Sequence, residues 1–269
     1  MSRDRGCDLT VAGVQMHSRP GDEEANLIAA ATWTARAVEQ GAHLVVFPEL
    51  FVSGYHPEAA AATTRQGTLR ALDVLAEEAA AAGTWLVAPL AERAADGRLF
   101  NSAAVFDAGG ALRTIKRKRA LWGWEPQVFE PGADAAPVEV DGVLTGLLLC
   151  YEGEFPEPSR ALVLAGAELL LLPSAWSDDA AWRWELQPAA RALDNLCYVL
   201  RVNGVGAGLC GRTALLGPDG RVRRALGGAE EGLVTGVVER TELERWRSEL
   251  PYLNDLRAAA AGSPATGGE

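Results

Sequence analysis

Apolar residues in this chain fall into short runs separated by longer segments of helical periodicity. LTVAGVQM, residues 9–16, reads as a first buried strand. Asp22, Glu23 and Glu24 then form the acidic first turn of a helix that runs to Gln40 and stops at Gly41. Its apolar stripe is expected on Ile28, Ala31, Ala35 and Val38. HLVVFPEL, His43 to Leu50, is a second strand, closed by Pro48 because proline cannot donate to a ladder. A helix from Thr64 to Ala82 follows, with Leu72, Leu75, Ala76 and Ala79 on one face. After a strand at Trp85 to Pro89, the alternation in LFNSAAVFD and ALRTIK around the turn AGG predicts a hairpin.

Arg117 to Gly132 reads as a long loop holding Lys118, Trp122, Trp124 and Glu125, and long loops in compact domains are often functional. Beyond it, VLTGLLLC is a strand ending at Cys150, followed by a sharp turn, a helix from Glu157 to Ala165 and the strand LLLLPSAW. A helix over 179–195, the strand CYVLRVNG, a last strand in EEGLVTGVVE and a last helix in TELERWRSEL complete the pattern. Such alternation predicts a layered α/β fold. Residues 9–257 are expected to form one domain, with a flexible N-terminus over 1–8 and a disordered tail over 258–269, AAAAGSPATGGE. Gly206, Gly208 and Gly211 spell GxGxxG after a strand, but RTALLGPDGRV continues as strand and turn. A dinucleotide site needs a helix to open there, so no nucleotide cofactor is expected.

Composition narrows the function. With 25 basic against 36 acidic residues, the net charge of −11 argues against nucleic-acid and anionic-membrane partners. No run of about 18 apolar residues could span a bilayer and the first residues lack a signal-peptide core, so the expected setting is cytoplasmic. Four cysteines at irregular spacing then read as reduced thiols, with Cys7, Cys197 and Cys210 as packing. His17, His43 and His56 form no HExxH and there is no CxxC, so no metal is expected.

Cys150 stands out by its position and its neighbours. A thiol where a strand of an α/β sheet ends sits where such folds keep their chemistry. Tyr151, Glu152, Glu154 and Glu157 follow it, a set that suits a polar pocket rim better than a core. Glu49 ends its own apolar strand in the same way, and buried there it would need a cation or a proton.

Glu49 in VVFPELFVSGY, Lys118 in KRKRALWGWE and Cys150 in LLLCYEGEFPE stand in an order that resembles the nitrilase superfamily, the carbon-nitrogen hydrolases, and especially its amidase-like members. Supporting stretches are the Asn-Ser of LFNSAAVFD, ARALDN before YVLRVN, and the PDGRV turn, so the likeness covers Leu9 to Arg257. The resemblance implies a four-layer α-β-β-α sandwich, homodimeric, with Cys150 as nucleophile, Glu49 as general base and Lys118 as the cation for the tetrahedral intermediate. Lys118 matches, of Lys116, Arg117 and Lys118, because the family's lysine shortly precedes a Leu-aromatic-Gly run, here Leu121, Trp122 and Gly123. On that assignment Lys116 is dispensable. Glu125 matches the second glutamate of many members, at a spacing one residue shorter than in some relatives.

The implied reaction is hydrolysis of a small linear carboxamide to acid and ammonia through a thioester, with a small-molecule amide as partner. N-carbamoyl or nitrile hydrolysis, and acyl transfer to an amine, use the same site. Tyr55, Trp124, Tyr151 and Trp176 are candidates for an aromatic substrate pocket and fit core packing equally well.

Overall fold

A computed structural model describes residues 8–228 and 230–260. The first half of the chain forms β1 (Leu9–Gln15), α1 (Glu23–Glu39), β2 (Leu44–Val46), α2 (Pro57–Ala61), α3 (Arg65–Ala82), β3 (Trp85–Arg93), β4 (Leu99–Phe106) and β5 (Leu112–Arg117). The second half repeats the theme with β6 (Val138–Val140), β7 (Val143–Leu147), α4 (Pro156–Leu164), β8 (Leu169–Ser174), α5 (Ala181–Asn195) and β9 (Tyr198–Asn203). A small hairpin of β10 (Val205–Gly206) and β11 (Leu209–Cys210) precedes β12 (Ala214–Leu216), β13 (Val222–Ala225), β14 (Gly232–Val238), α6 (Arg240–Glu249) and α7 (Tyr252–Ala260).

Two six-stranded sheets result, in the orders β14-β1-β2-β3-β4-β5 and β13-β12-β9-β8-β7-β6. β1, β2 and β3 are parallel in one, and β7, β8 and β9 in the other. Period-two alternation sorts their side chains into layers. Leu44, Val46, Leu169 and Leu171 meet in a core between the sheets. Val45 and Phe47 face outward into a second core with Leu27, Ala30 and Leu75 of α1 and α3. Leu170 and Leu172 do the same with Leu162 of α4 and Trp184 of α5. The architecture is the four-layer α-β-β-α sandwich. Gly13 marks how closely the sheets approach, since a Cβ there would lie 2.9 Å from the side chains of both Val202 and Thr213.

Some elements differ from expectation. In α1 the buried face carries Asn26, Leu27, Ala30, Thr34 and Ala37, while Ile28 is exposed. Asn26 explains the rotation, because its amide donates to the carbonyls of Arg19 and Val52 and so turns a polar residue inward. β6, α2 and α7 were not anticipated. α7 carries the described chain as a helix to Ala260, into the stretch expected to be a disordered tail. Residues 1–7, including Cys7, and 261–269 lie outside the described residues. At the GxGxxG stretch the chain folds as the β10–β11 hairpin and runs on into β12, the next element after Gly211 being a strand and not a helix.

Candidate active site

The site assembles where strands of both sheets end. Lys118 directly follows β5, which runs in the same direction as β2 because β3–β4 and β4–β5 are both antiparallel. Glu49 follows β2 by three residues, and its N–H donates to Ser174 O at the end of β8, 3.3 Å away. Two strand ends of one sheet and one of the other thus converge.

At the end of β5 the alternation sends neighbouring basic residues to opposite faces. Arg117 turns to one face, where it grips Glu92 with two bonds of 2.8 and 2.6 Å and lies 4.0 Å over the Phe100 ring. Lys118 turns to the other face and is wholly buried. Its ammonium lies 2.7 Å from Glu49 Oε1 and 2.7 Å from Glu125 Oε1. Asn101 Nδ2 bridges the same two oxygens, at 2.8 Å from Glu49 and 3.4 Å from Glu125. Tyr55 donates its phenol to Glu125 Oε1 at 3.0 Å, and the Trp122 N–H donates to Glu125 Oε2 at 3.0 Å. Glu49 Oε2 is buried and takes no hydrogen bond among the described residues.

Cys150 occupies a sharp elbow. β7 ends at Leu147, and the chain tightens into a 3-10 helix from Cys150 to Glu154. Cys150 itself has φ +48°, the left-handed region that a side chain with a Cβ rarely adopts. Such conformations cost on the order of 1–3 kcal/mol and persist only where their surroundings over-determine them. The thiol is buried.

Burial and charge set the protonation states together. Burial pushes the Cys150 thiol well above its ordinary range, and the Glu49 and Glu125 carboxylates push the same way while Lys118 opposes them. Burial likewise raises Glu125, helped by the like charge of Glu49 and resisted by Lys118. For Lys118 burial works against the charged form, but Glu49, Cys150 and Glu125 outweigh it and hold the pKa above that of a free lysine. Tyr55 is raised by burial and then by the neighbouring carboxylates. Both shifts favour an ammonium at Lys118 and a neutral thiol at Cys150.

A cavity of about 280 Å³ lies beside Cys150. All four aromatic candidates, Tyr55, Trp124, Tyr151 and Trp176, line it together with Cys150, and Trp122 joins them. The rings brace one another: Tyr55 stands 5.1 Å from Trp124, and Trp122 stands 4.8 Å from Tyr151. Arg183 and Glu154, paired at 2.7 Å, add one ion pair to the wall. A smaller cavity of about 70 Å³ reaches Glu49 from the side of Met16, Ser174 and Gly206.

One expectation needs correction. Glu152 is no rim residue but is buried, with its carboxylate accepting the Leu149 N–H at 2.8 Å and the Arg119 N–H at 2.7 Å. Lys116 is buried against that same carboxylate at 2.5 Å. Asn101, Glu152 and Arg183 were not among the expected site residues. Asn101 stood only in a supporting motif, and Glu152 acts mainly on backbone N–H groups, which leave no trace in a sequence.

Known proteins resemble the chain over almost its whole length. The carbon-nitrogen hydrolase family profile matches residues 10–248. The chain is 36% identical over 257 residues to a protein of Pseudomonas protegens described as "Hydrolase in pqqF 5'region", covering 93% of this chain and 89% of that one. It is 34% identical over 260 residues to an (R)-stereoselective amidase of a Pseudomonas species, with 93% and 92% covered. Among solved structures, a mutant amidase from Nesterenkonia sp. AN1, showing Michael addition of acrylamide at its active-site cysteine, superposes with a TM-score of 0.83 at 30% identity, over 94% of this chain and 98% of that one. Another mutant of the same amidase, bearing the acetamide moiety of fluoroacetamide on that cysteine, gives 0.85 at 29% identity, over 97% and 98%. The chain belongs to the carbon-nitrogen hydrolase family, as an amidase-like member of the nitrilase superfamily.

Proposed function

We propose that the chain is a cysteine-dependent amidohydrolase that converts a small linear carboxamide to carboxylic acid and ammonia, with Cys150, Glu49, Lys118 and Glu125 as its catalytic residues. One observation carries the assignment: a fully buried lysine bridges two carboxylates in the same cluster as a buried cysteine on a left-handed elbow.

An amide is a weak electrophile with a poor leaving group, so the thiol must lose its proton as it attacks. Glu49 takes that proton as the C–S bond forms. Charge then develops on the carbonyl oxygen, where the Lys118 ammonium and the Tyr151 N–H stabilise it, a contribution of about 3 kcal/mol per donor in comparable sites. Glu49 passes the proton to the nitrogen, the C–N bond breaks and ammonia leaves. Water, activated by Glu49, then attacks the thioester, and the sulfur leaves with the proton returned. The 70 Å³ cavity at Glu49 offers space for that water, whose share of the liquid is about 30 Å³. Glu125 keeps Lys118 in place throughout.

The acyl chain would lie among Tyr55, Trp124, Tyr151 and Trp176. The Nesterenkonia amidase has been seen with acrylamide, with butyramide and with the acetamide moiety of fluoroacetamide, short amides of a size that suits this cavity. Free, buried Cys150, Cys197 and Cys210 support a reducing, cytoplasmic setting. Trp182, Leu186 and Leu193 leave an apolar stripe exposed on α5, which supports a homodimer packed across that helix. Light scattering tests it, and a monomer at all concentrations would refute it.

The reaction is tested by intact mass spectrometry of wild type and Cys150→Ala against a panel of short amides, with ammonia and free acid measured in parallel. A covalent adduct on wild type alone, with acid and ammonia in equal amounts, is expected. Ammonia without acid would instead mean transfer of the acyl group to another acceptor.

A further inference from the structure

We propose that Glu152 and Lys116 form a clamp that holds the nucleophile's elbow against the strand end bearing the oxyanion lysine, so that both act as positioning residues. This rests on the hydrolase reading above and adds two residues to it.

The connectivity is specific. Glu152 Oε2 accepts the N–H of Leu149, the residue immediately before Cys150. Glu152 Oε1 accepts the N–H of Arg119, the residue immediately after Lys118. One carboxylate thus ties together the two backbone segments that carry the attacking sulfur and the stabilising ammonium, and these segments belong to different sheets. Lys116, two residues before Lys118 and on the same side of β5, completes the arrangement by donating to Glu152 Oε1 and, at 3.0 Å, to Arg117 O.

Stability alone does not account for this pair. Both side chains are 5% exposed, and a buried ion pair often stabilises no better than apolar side chains of equal volume. An apolar pair could not accept two N–H groups, and a lone carboxylate would add a third negative charge near Glu49, Glu125 and the thiol. Glu152 therefore supplies the acceptor geometry, and Lys116 keeps the elbow neutral. The left-handed backbone at Cys150 makes such a restraint necessary, because an unheld elbow would relax toward ordinary φ and carry the sulfur away from Lys118.

Four variants test the clamp: Glu152→Gln, Lys116→Met, the double substitution, and the charge reversal Lys116→Glu/Glu152→Lys. Active sites are counted by iodoacetamide adduct formation on Cys150, read by intact mass, so that turnover is expressed per reactive site and not per milligram. Glu152→Gln offers one good acceptor where two are needed. Its kcat per titrated site should fall by about 10- to 100-fold with KM within about threefold, and Cys150 alkylation should slow in parallel. Lys116→Met keeps both N–H bonds, so its loss should be under about 10-fold, with the alkaline limb of the rate profile moved to higher pH. The double variant should match Glu152→Gln. Charge reversal should stay at least as slow as Glu152→Gln, since an ammonium cannot accept an N–H, whereas a pair that matters only as a salt bridge would be restored.

Wild-type kcat per site in Glu152→Gln, or recovery on reversal, overturns the proposal. Should Glu152→Gln fail to fold, an unchanged pH profile in Lys116→Met overturns it instead. Alkylation of Cys150 needs no turnover, so a wild type that hydrolyses no amide sinks the hydrolase reading and still leaves the clamp measurable.

Discussion

Asn101 donates its side-chain amide to Glu49 Oε1 at 2.8 Å, on the same oxygen that Lys118 holds. Two buried carboxylates facing one ammonium leave an excess negative charge, and the Asn101 dipole offsets part of it. A hydrogen bond to a charged group contributes roughly 1.5–3 kcal/mol. Asn101→Ala should therefore lower kcat by about 10- to 100-fold while the chain still folds. Asn101→Asp, which adds a third carboxylate, should be worse still. Steady-state kinetics normalised to reactive Cys150 decide it, and an Asp variant as active as the Ala variant would contradict the electrostatic account.

Tyr55 joins the cluster with its phenol on Glu125 Oε1 and lines the cavity wall. Tyr55→Phe removes only the hydroxyl. Because Lys118 still holds that oxygen, the expected fall in kcat is smaller, about 10-fold. Tyr55→Ala also removes the ring and should raise KM. If Phe and Ala raise KM equally, Tyr55 acts through its hydroxyl on substrate and not as a wall.

Lys118→Met leaves two buried carboxylates without a cation. Loss of one partner from a buried charge cluster destabilises by about 3–5 kcal/mol, and loss of an oxyanion donor lowers kcat by about 10²- to 10³-fold. Both effects should appear together, as an early urea midpoint and as slow acylation measured by adduct mass. In contrast, Arg117→Met should cost stability through Glu92 and leave acylation per reactive site near wild type, since Arg117 faces away from the cluster. Equal acylation losses in the two variants would move the oxyanion role off Lys118.

The layers, and Glu49 and Cys150 as candidate residues, were legible in the sequence for a physical reason, whereas Lys118 stood apart from its basic neighbours only through the resemblance to the nitrilase superfamily. Strands that bury both faces read as unbroken apolar runs, and a Glu or a Cys closing such a run is conspicuous. What escaped was polar and local. Asn26 turned α1 by satisfying two loop carbonyls, which no count of apolar residues detects. Glu152 looked like a rim residue because its partners are two N–H groups and a lysine remote in the chain. The helix to Ala260 ends in an alanine-rich stretch that composition alone assigns to a tail.

Cys197 lies at the turn after α5, away from the cluster, and burial pushes its thiol up to about 12. An unfolded chain releases that proton near the ordinary thiol value of about 8.5, whereas the native state keeps it. Between these values the unfolded state binds fewer protons than the native one, so unfolding becomes easier as pH rises, by up to about 1.4 kcal/mol per pH unit for each such thiol. Cys210, pushed up to about 11, and Cys150 act in the same direction. Urea midpoints measured from pH 8 to 10.5 should therefore fall less steeply in Cys197→Ala than in wild type, although the cavity makes the variant the less stable protein at pH 7. Parallel slopes would mean that Cys197 ionises in the folded protein, and that solvent reaches a side chain the fold encloses.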